Sequence, residues 1–150
     1  MQRGIDYVGV GVGAAILNEE GKLFLARRGD SAKNERGKWE TPGGSLEYGE
    51  KLEETLIREI QEEYGCTIEI VDQLGVFDHI IPEEKQHWVA ISFLCTIVSG
   101  EPSILEPHKC SEIGWFTLEE AQGLELTLTA QHDINALKKR FPGGLHSVSS

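Results

Sequence analysis

The chain contains no apolar run of about 18 residues, the length a helix needs to cross the hydrocarbon core of a bilayer. Its first residues, MQRGIDYVGV, lack the basic, apolar and small-residue succession of a secretory leader. Neither a membrane partner nor export is expected, and the reading is cytoplasmic. Cysteine is scarce: Cys66, Cys95 and Cys110 are widely spaced and mostly in apolar surroundings. An odd, dispersed set argues against a disulfide framework and against a zinc site; it fits reduced thiols in or near a core. Positive charge is also in deficit, with 14 Lys and Arg against 25 Asp and Glu for a formal net charge of -11. Such a field repels a phosphate backbone and argues against a nucleic-acid polymer as partner. A small nucleotide stays open, because bound cations invert the field locally. No internal repeat is visible, and 150 residues suit a single domain with a core of its own.

What is present is concentrated between Gly43 and Cys66, GGSLEYGEKLEETLIREIQEEYGC. Residues 50–64 contain no Pro or Gly and are rich in Glu, Leu, Lys and Ile, so a helix is expected there. Leu56, Ile60 and Tyr64 form its apolar stripe, with Ile57 at the edge. Glu59, Glu62 and Glu63 stand at i, i+3 and i+4 and project from one face. Three like charges on one arc repel, and a divalent cation relieves that repulsion. Arg58 can reach Glu54 or Glu62 and fix a carboxylate rotamer. Gly65 is placed to end the helix, and TPGGSLEYG is a Pro/Gly loop leading into it.

The spacing Gly44, five residues, Glu50, seven residues, then Arg58-Glu59-Ile60-Gln61-Glu62-Glu63-Tyr64-Gly65-Cys66 resembles the full signature of the Nudix hydrolases, with Cys66 in the last apolar slot. The resemblance implies an α/β/α sandwich with a mixed β-sheet and a loop-helix-loop catalytic motif. It implies Mg²⁺, with Mn²⁺ as an alternative, held by Glu59, Glu62 and Glu63 and by the backbone carbonyl of Gly43. It also implies hydrolysis of a phosphoanhydride, with Glu62, Glu63 or Glu106 as candidates for activating water. Glu106 is preferred to Glu112 as the further acidic residue. Arg58 reads as a positioning residue; Gly44, Glu50 and Gly65 read as structural parts of the signature. The compact length looks similar to the nucleoside triphosphate pyrophosphohydrolase branch, which releases a nucleoside monophosphate and pyrophosphate. The alternatives are a nucleotide sugar, a dinucleoside polyphosphate or another diphosphate-linked compound as substrate. A non-catalytic nucleotide-binding domain is the reading from another class.

The rest of the chain reads in order. Residues 8–18, VGVGVGAAILN, form a first strand whose glycines do not satisfy the dinucleotide-binding fingerprint. Residues 22–28 form a second strand, with Arg28 favoured over Arg27 as a phosphate contact on family grounds. Residues 29–38 are expected to be a polar, mobile loop from which Lys33, Asn34 and Arg36 could reach a polyphosphate. Trp39 is expected to pack on the catalytic helix or to wall the substrate pocket. Residues 67–79 read as strand material broken near Asp72, and residues 86–98 as a strand inside the sheet. His79 reads as a surface or hydrogen-bonded histidine; His87 or Trp88 would border a base pocket. A last helix is expected from Thr127 or Thr129 to about Arg140, with Ile134, Leu137 and Phe141 on one side. The tail from about residue 142 is expected to be flexible or to cross to a second subunit, a homodimer being compatible with the family.

Overall fold

The computed structural model describes residues 1–149. Its framework is built on strands that are apolar on both faces. In β1 (Gly9–Ile16), Val12, Ala14 and Ile16 join one buried cluster while Ala15 joins another. In β2 (Leu23–Arg28), Phe24 and Ala26 divide from Leu23 and Leu25 in the same way. A strand apolar on both sides needs a layer over each face.

The helices supply those layers. α1 (Leu52–Tyr64) places Leu56, Ile60 and Tyr64 in the first cluster. α2 (Leu118–Gln122) contributes Ala121 to the second, and α3 (Leu128–Arg140) contributes Ile134 and Leu137. Each fully buried Leu or Ile contributes roughly 1.5–3 kcal/mol to the drive for this layering. The result is a mixed sheet flanked by helices, the α/β/α sandwich that the signature implied.

Four strands run in the order β4-β1-β6-β5, where β4 is Gly43–Ser45, β5 Thr67–Ile81 and β6 Gln86–Ser99. β1 and β6 are parallel, from Gly9 opposite Trp88 to Ile16 opposite Cys95; the other pairs are antiparallel. A second sheet has the order β3-β2-β7, where β3 is Trp39–Glu40 and β7 Cys110–Phe116. The expected break near Asp72 is a pair of register shifts flanking it within one continuous β5, because bulges let a long strand bend without leaving the ladder.

Local chemistry sets the helix ends. α1 stops at Gly65, whose φ of 72° lies in the left-handed region and whose N–H reaches Gln61 O. Thr117 and Glu120 form a reciprocal capping box on α2, and Thr127 caps α3 by accepting the Ala130 N–H.

Two expectations are corrected. The loop of residues 29–38 is tied down rather than loose: Arg28 Nε donates to Asn34 O at 3.0 Å, and the buried Asn34 amide donates to Gln86 Oε1 at 2.9 Å. The tail returns to its own chain, where Leu145 and Val148 pack on the second cluster and His146 meets Phe141 edge-on at 4.8 Å. Its apolar residues find a half-covered surface beside α3, which sequence spacing did not reveal; Ser150 lies outside the described residues.

Candidate active site

The turn between β3 and β4 passes directly in front of α1. A Cβ on Gly43 would lie 1.9 Å from Val12 O, and one on Gly44 would lie 2.6 Å from the carboxyl carbon of Glu59. Only glycines let this backbone pass between β1 and the helix. Glu59 and Glu63, one turn apart on α1, face inward from it. Burial, with repulsion from Glu59 and Glu40, pushes the Glu63 carboxyl up to about 8. Burial likewise raises Glu59, although the neighbouring Arg58 opposes it. Glu40 accepts from Arg28 Nη1 at 2.7 Å, yet its burial outweighs that pairing and its carboxyl is also raised.

Arg58 organises the outer side of the helix. Its guanidinium donates to Glu50 at 2.7 Å and to Glu62 at 3.2 Å, and lies 3.5 Å from Glu59; the expected contact with Glu54 is not formed. Glu50 also accepts the Glu47 N–H at 3.0 Å, so it closes the loop entering α1. Glu62 is turned outward onto Arg58.

Two cavities open beside these groups. The smaller, of about 220 Å³, is lined by Glu63, Glu106, Lys109, Arg28, Lys33 and Glu40, among others. The larger, of about 230 Å³, runs over the small residues of β1 to Trp88, His79 and Thr129. Arg28, Lys33, Glu40 and Gly43 line both. They form one cleft with an acidic end rimmed by cations and an end with an indole wall.

The NUDIX domain model matches residues 8–139. The chain belongs to the Nudix family. A solved MutT NUDIX hydrolase from Burkholderia pseudomallei is 35% identical, with a TM-score of 0.81 over 88% of this chain and 99% of that one. Putative nudix hydrolase 1 of Caenorhabditis elegans is 26% identical over 150 residues, covering 95% of this chain and 39% of its own length. An ADP-ribose pyrophosphatase of Methanocaldococcus jannaschii is 31% identical over 86 residues, covering 57% of this chain and 50% of its own. The chain thus spans half or less of the length of these two curated relatives.

Within the Nudix fold the candidate residues separate. Gly43, Glu63, Glu106 and Arg28 meet at the acidic end of the cleft, and Glu59 lies against Gly44. Glu112 pairs instead with Arg27 at 3.0 Å on the exposed side of β2. Trp39 does neither thing expected of it. It packs edge-on against Phe116 at 5.3 Å in the second cluster, because β3 turns that side chain towards α2 and α3, away from α1 and the cleft. His87 also misses the cleft: alternation along β6 sends Trp88 into it and His87 towards Asp78, 3.6 Å away.

A divalent cation fits this donor set. Among the described residues, no three His, Cys, Asp or Glu side chains are gathered as a ligand group, and Glu62 is paired with Arg58. Yet Glu59 and Glu63 are hard oxygen donors whose raised carboxyls mark negative charge short of compensation, the condition that Mg²⁺ or Mn²⁺ relieves. Sequence reasoning left Glu40 and Glu35 unmentioned, and read His79 and Thr129 without a site role. Their signal is tertiary, because a loop, two strands and α3 must converge before the residues meet. The three cysteines are all buried and free, and no helix among the described residues is long and apolar enough to cross a membrane.

Proposed function

We propose that the chain is a Mg²⁺-dependent Nudix pyrophosphohydrolase acting on a (deoxy)nucleoside triphosphate, normal or modified, and releasing a nucleoside monophosphate and pyrophosphate. The observation that carries this reading is the single cleft in which an acidic, cation-rimmed end adjoins an end walled by Trp88. A nucleotide has the same polarity, with polyphosphate at one end and an aromatic base at the other.

Glu59, Glu63 and the Gly43 carbonyl would hold the cation, with Glu62 joining after a rotamer change away from Arg58. When bound, the ion neutralises phosphate charge and lowers the pKa of a water. The chain does the rest. Arg28, Lys33 and Lys109 offer positive charge to phosphate oxygens along the shared wall. Glu106, 3.6 Å from Lys109, is a carboxylate available to orient a water or accept its proton. Glu50 and Arg58 hold the loop and the rotamers of α1 in place. Trp88 offers a face for stacking, its Nε1 anchored on Gln86 Oε1 at 3.0 Å. The working location is taken to be the cytoplasm, and the assembly a monomer or homodimer.

A second reading, hydrolysis of a nucleoside diphosphate linked to another group, is favoured by the similarity to the ADP-ribose pyrophosphatase. The test is a Mg²⁺-dependent panel of normal and oxidised deoxynucleoside triphosphates, nucleotide sugars and dinucleoside polyphosphates, with product analysis. Pyrophosphate and a monophosphate from a triphosphate are expected. Turnover restricted to diphosphate-linked compounds selects the second reading, and no turnover with either metal refutes both.

A further inference from the structure

Glu35 has a backbone φ of 45°, a left-handed conformation that a residue with a Cβ keeps only when its surroundings hold it there. Its own carboxylate holds it. Oε1 lies 2.8 Å from His79 Nε2, and Oε2 accepts the Leu128 N–H at 2.9 Å. On the other side of the imidazole, Nδ1 lies 3.2 Å from Thr129 Oγ1. The three residues come from a loop, from β5 and from α3. All line the larger cavity and none lines the smaller, acidic one, so they stand at the end remote from Glu63.

The chain of contacts has a direction. Burial alone would raise the Glu35 carboxyl, but the hydrogen bonds from His79 and Leu128 outweigh it and hold the group below its ordinary range. An ionised carboxylate only accepts, so His79 Nε2 carries the proton. When the imidazole is neutral, Nδ1 is an acceptor and the single hydroxyl hydrogen of Thr129 is directed to it. That leaves Oγ1 with lone pairs and no hydrogen to offer a ligand; an imidazolium would instead donate from Nδ1 and free that hydrogen.

We propose that, with the imidazole neutral, the Glu35-His79-Thr129 chain makes Thr129 Oγ1 a fixed hydrogen-bond acceptor that selects nucleobases carrying an N–H donor on the edge facing α3. The inference rests on the nucleotide reading above. Thr129 is the specificity-determining group; Glu35 and His79 are positioning residues that set its polarity.

The test uses the full chain at mildly alkaline pH and compares deoxynucleoside triphosphates whose bases differ in donors. Purine, with no donor, is set against adenine, hypoxanthine and guanine, and pyrimidin-2-one against cytosine. Both kcat/KM with Mg²⁺ and calorimetric binding affinity are measured. At least one donor-bearing base should exceed its donor-free counterpart by about tenfold, the worth of one net hydrogen bond, chiefly through KM. Thr129→Val should bring that ratio to about one, and Thr129→Ser should restore it; a merely structural tether would alter unfolding and leave the ratio alone. Equal handling of all bases by the unaltered protein, or a ratio that survives in Thr129→Val, overturns the proposal. If nothing is hydrolysed but the binding preference is present and Thr129-dependent, the hydrolase reading fails and this inference stands. Hydrolysis without discrimination gives the reverse, and neither binding nor hydrolysis overturns both.

Discussion

Replacing Asp133 by Asn should stabilise the protein at neutral pH and flatten part of its pH dependence. Asp133 lies in α3 with no accessible surface, and Oδ2 accepts from Thr41 Oγ1 at 2.6 Å. Burial, partly offset by Ser92 and Thr41, pushes its carboxyl from 3.8 up to about 6. Between those two values the folded chain keeps a proton that the unfolded chain has released, so stability falls as pH rises through that window. Above about pH 6 the difference is complete. About two units at 1.36 kcal/mol each amount to about 3 kcal/mol. The amide introduced by Asp133→Asn would keep the bond from Thr41 through its oxygen and could donate to the neighbouring Ser92 Oγ. The variant should therefore gain up to about 3 kcal/mol at pH 7.5, a Tm rise of roughly 6–12 °C for a chain of this size. Urea unfolding of both proteins, at steps from about pH 4 to about pH 8, measures it. Glu40, Glu59 and Glu63 are also raised and add a slope of the same sign; that slope is common to both proteins and cancels in their difference. Parallel pH profiles, or a less stable variant at pH 7.5 with an unchanged m value, would refute the reasoning.

Glu63→Gln should lower kcat by orders of magnitude while Tm without metal holds or rises, because a buried, repelled carboxyl becomes neutral. The Tm increase that Mg²⁺ produces in the unaltered protein should shrink with it; unchanged turnover would remove Glu63 from the site. Gly44→Ala forces Glu59 to move, since the new Cβ would sit 2.6 Å from its carboxyl carbon. Activity should fall by more than tenfold with a small loss of stability, checked by kinetics and thermal unfolding. The two tryptophans should part company. Trp88→Ala is expected to raise KM, whereas Trp39→Ala should lower Tm by several degrees through lost packing on Phe116 and leave KM as it was.

Much of the architecture was legible in one dimension, because local periodicity carries it. The stripe Leu56, Ile60 and Tyr64 and the stop at Gly65 depend only on neighbours within about a turn. The apolar run of residues 86–98 already placed β6 inside the sheet, and the family signature implied the helical layers over it. Trp39 and His87 show where that reasoning ends. Each side chain is recognisable as buried-type or polar, but which face of its strand meets the cleft depends on sheet pairing many residues away. The tail was read as flexible or crossing to a second subunit for the same reason: Leu145 and Val148 cover a surface that exists only after α2 and α3 have docked.

By itself, then, the sequence determined that α1 would form, that Glu59, Glu62 and Glu63 would share its acidic arc and that glycines would precede it, since helical spacing and backbone sterics act over short range. Tertiary structure alone decided that Glu63 turns in to Glu40, and that Glu35, His79 and Thr129 form one hydrogen-bonded chain. Burial, charge proximity and hydrogen-bond direction are properties of groups brought together in space, and the distance along the chain between residues 35, 79 and 129 conceals them.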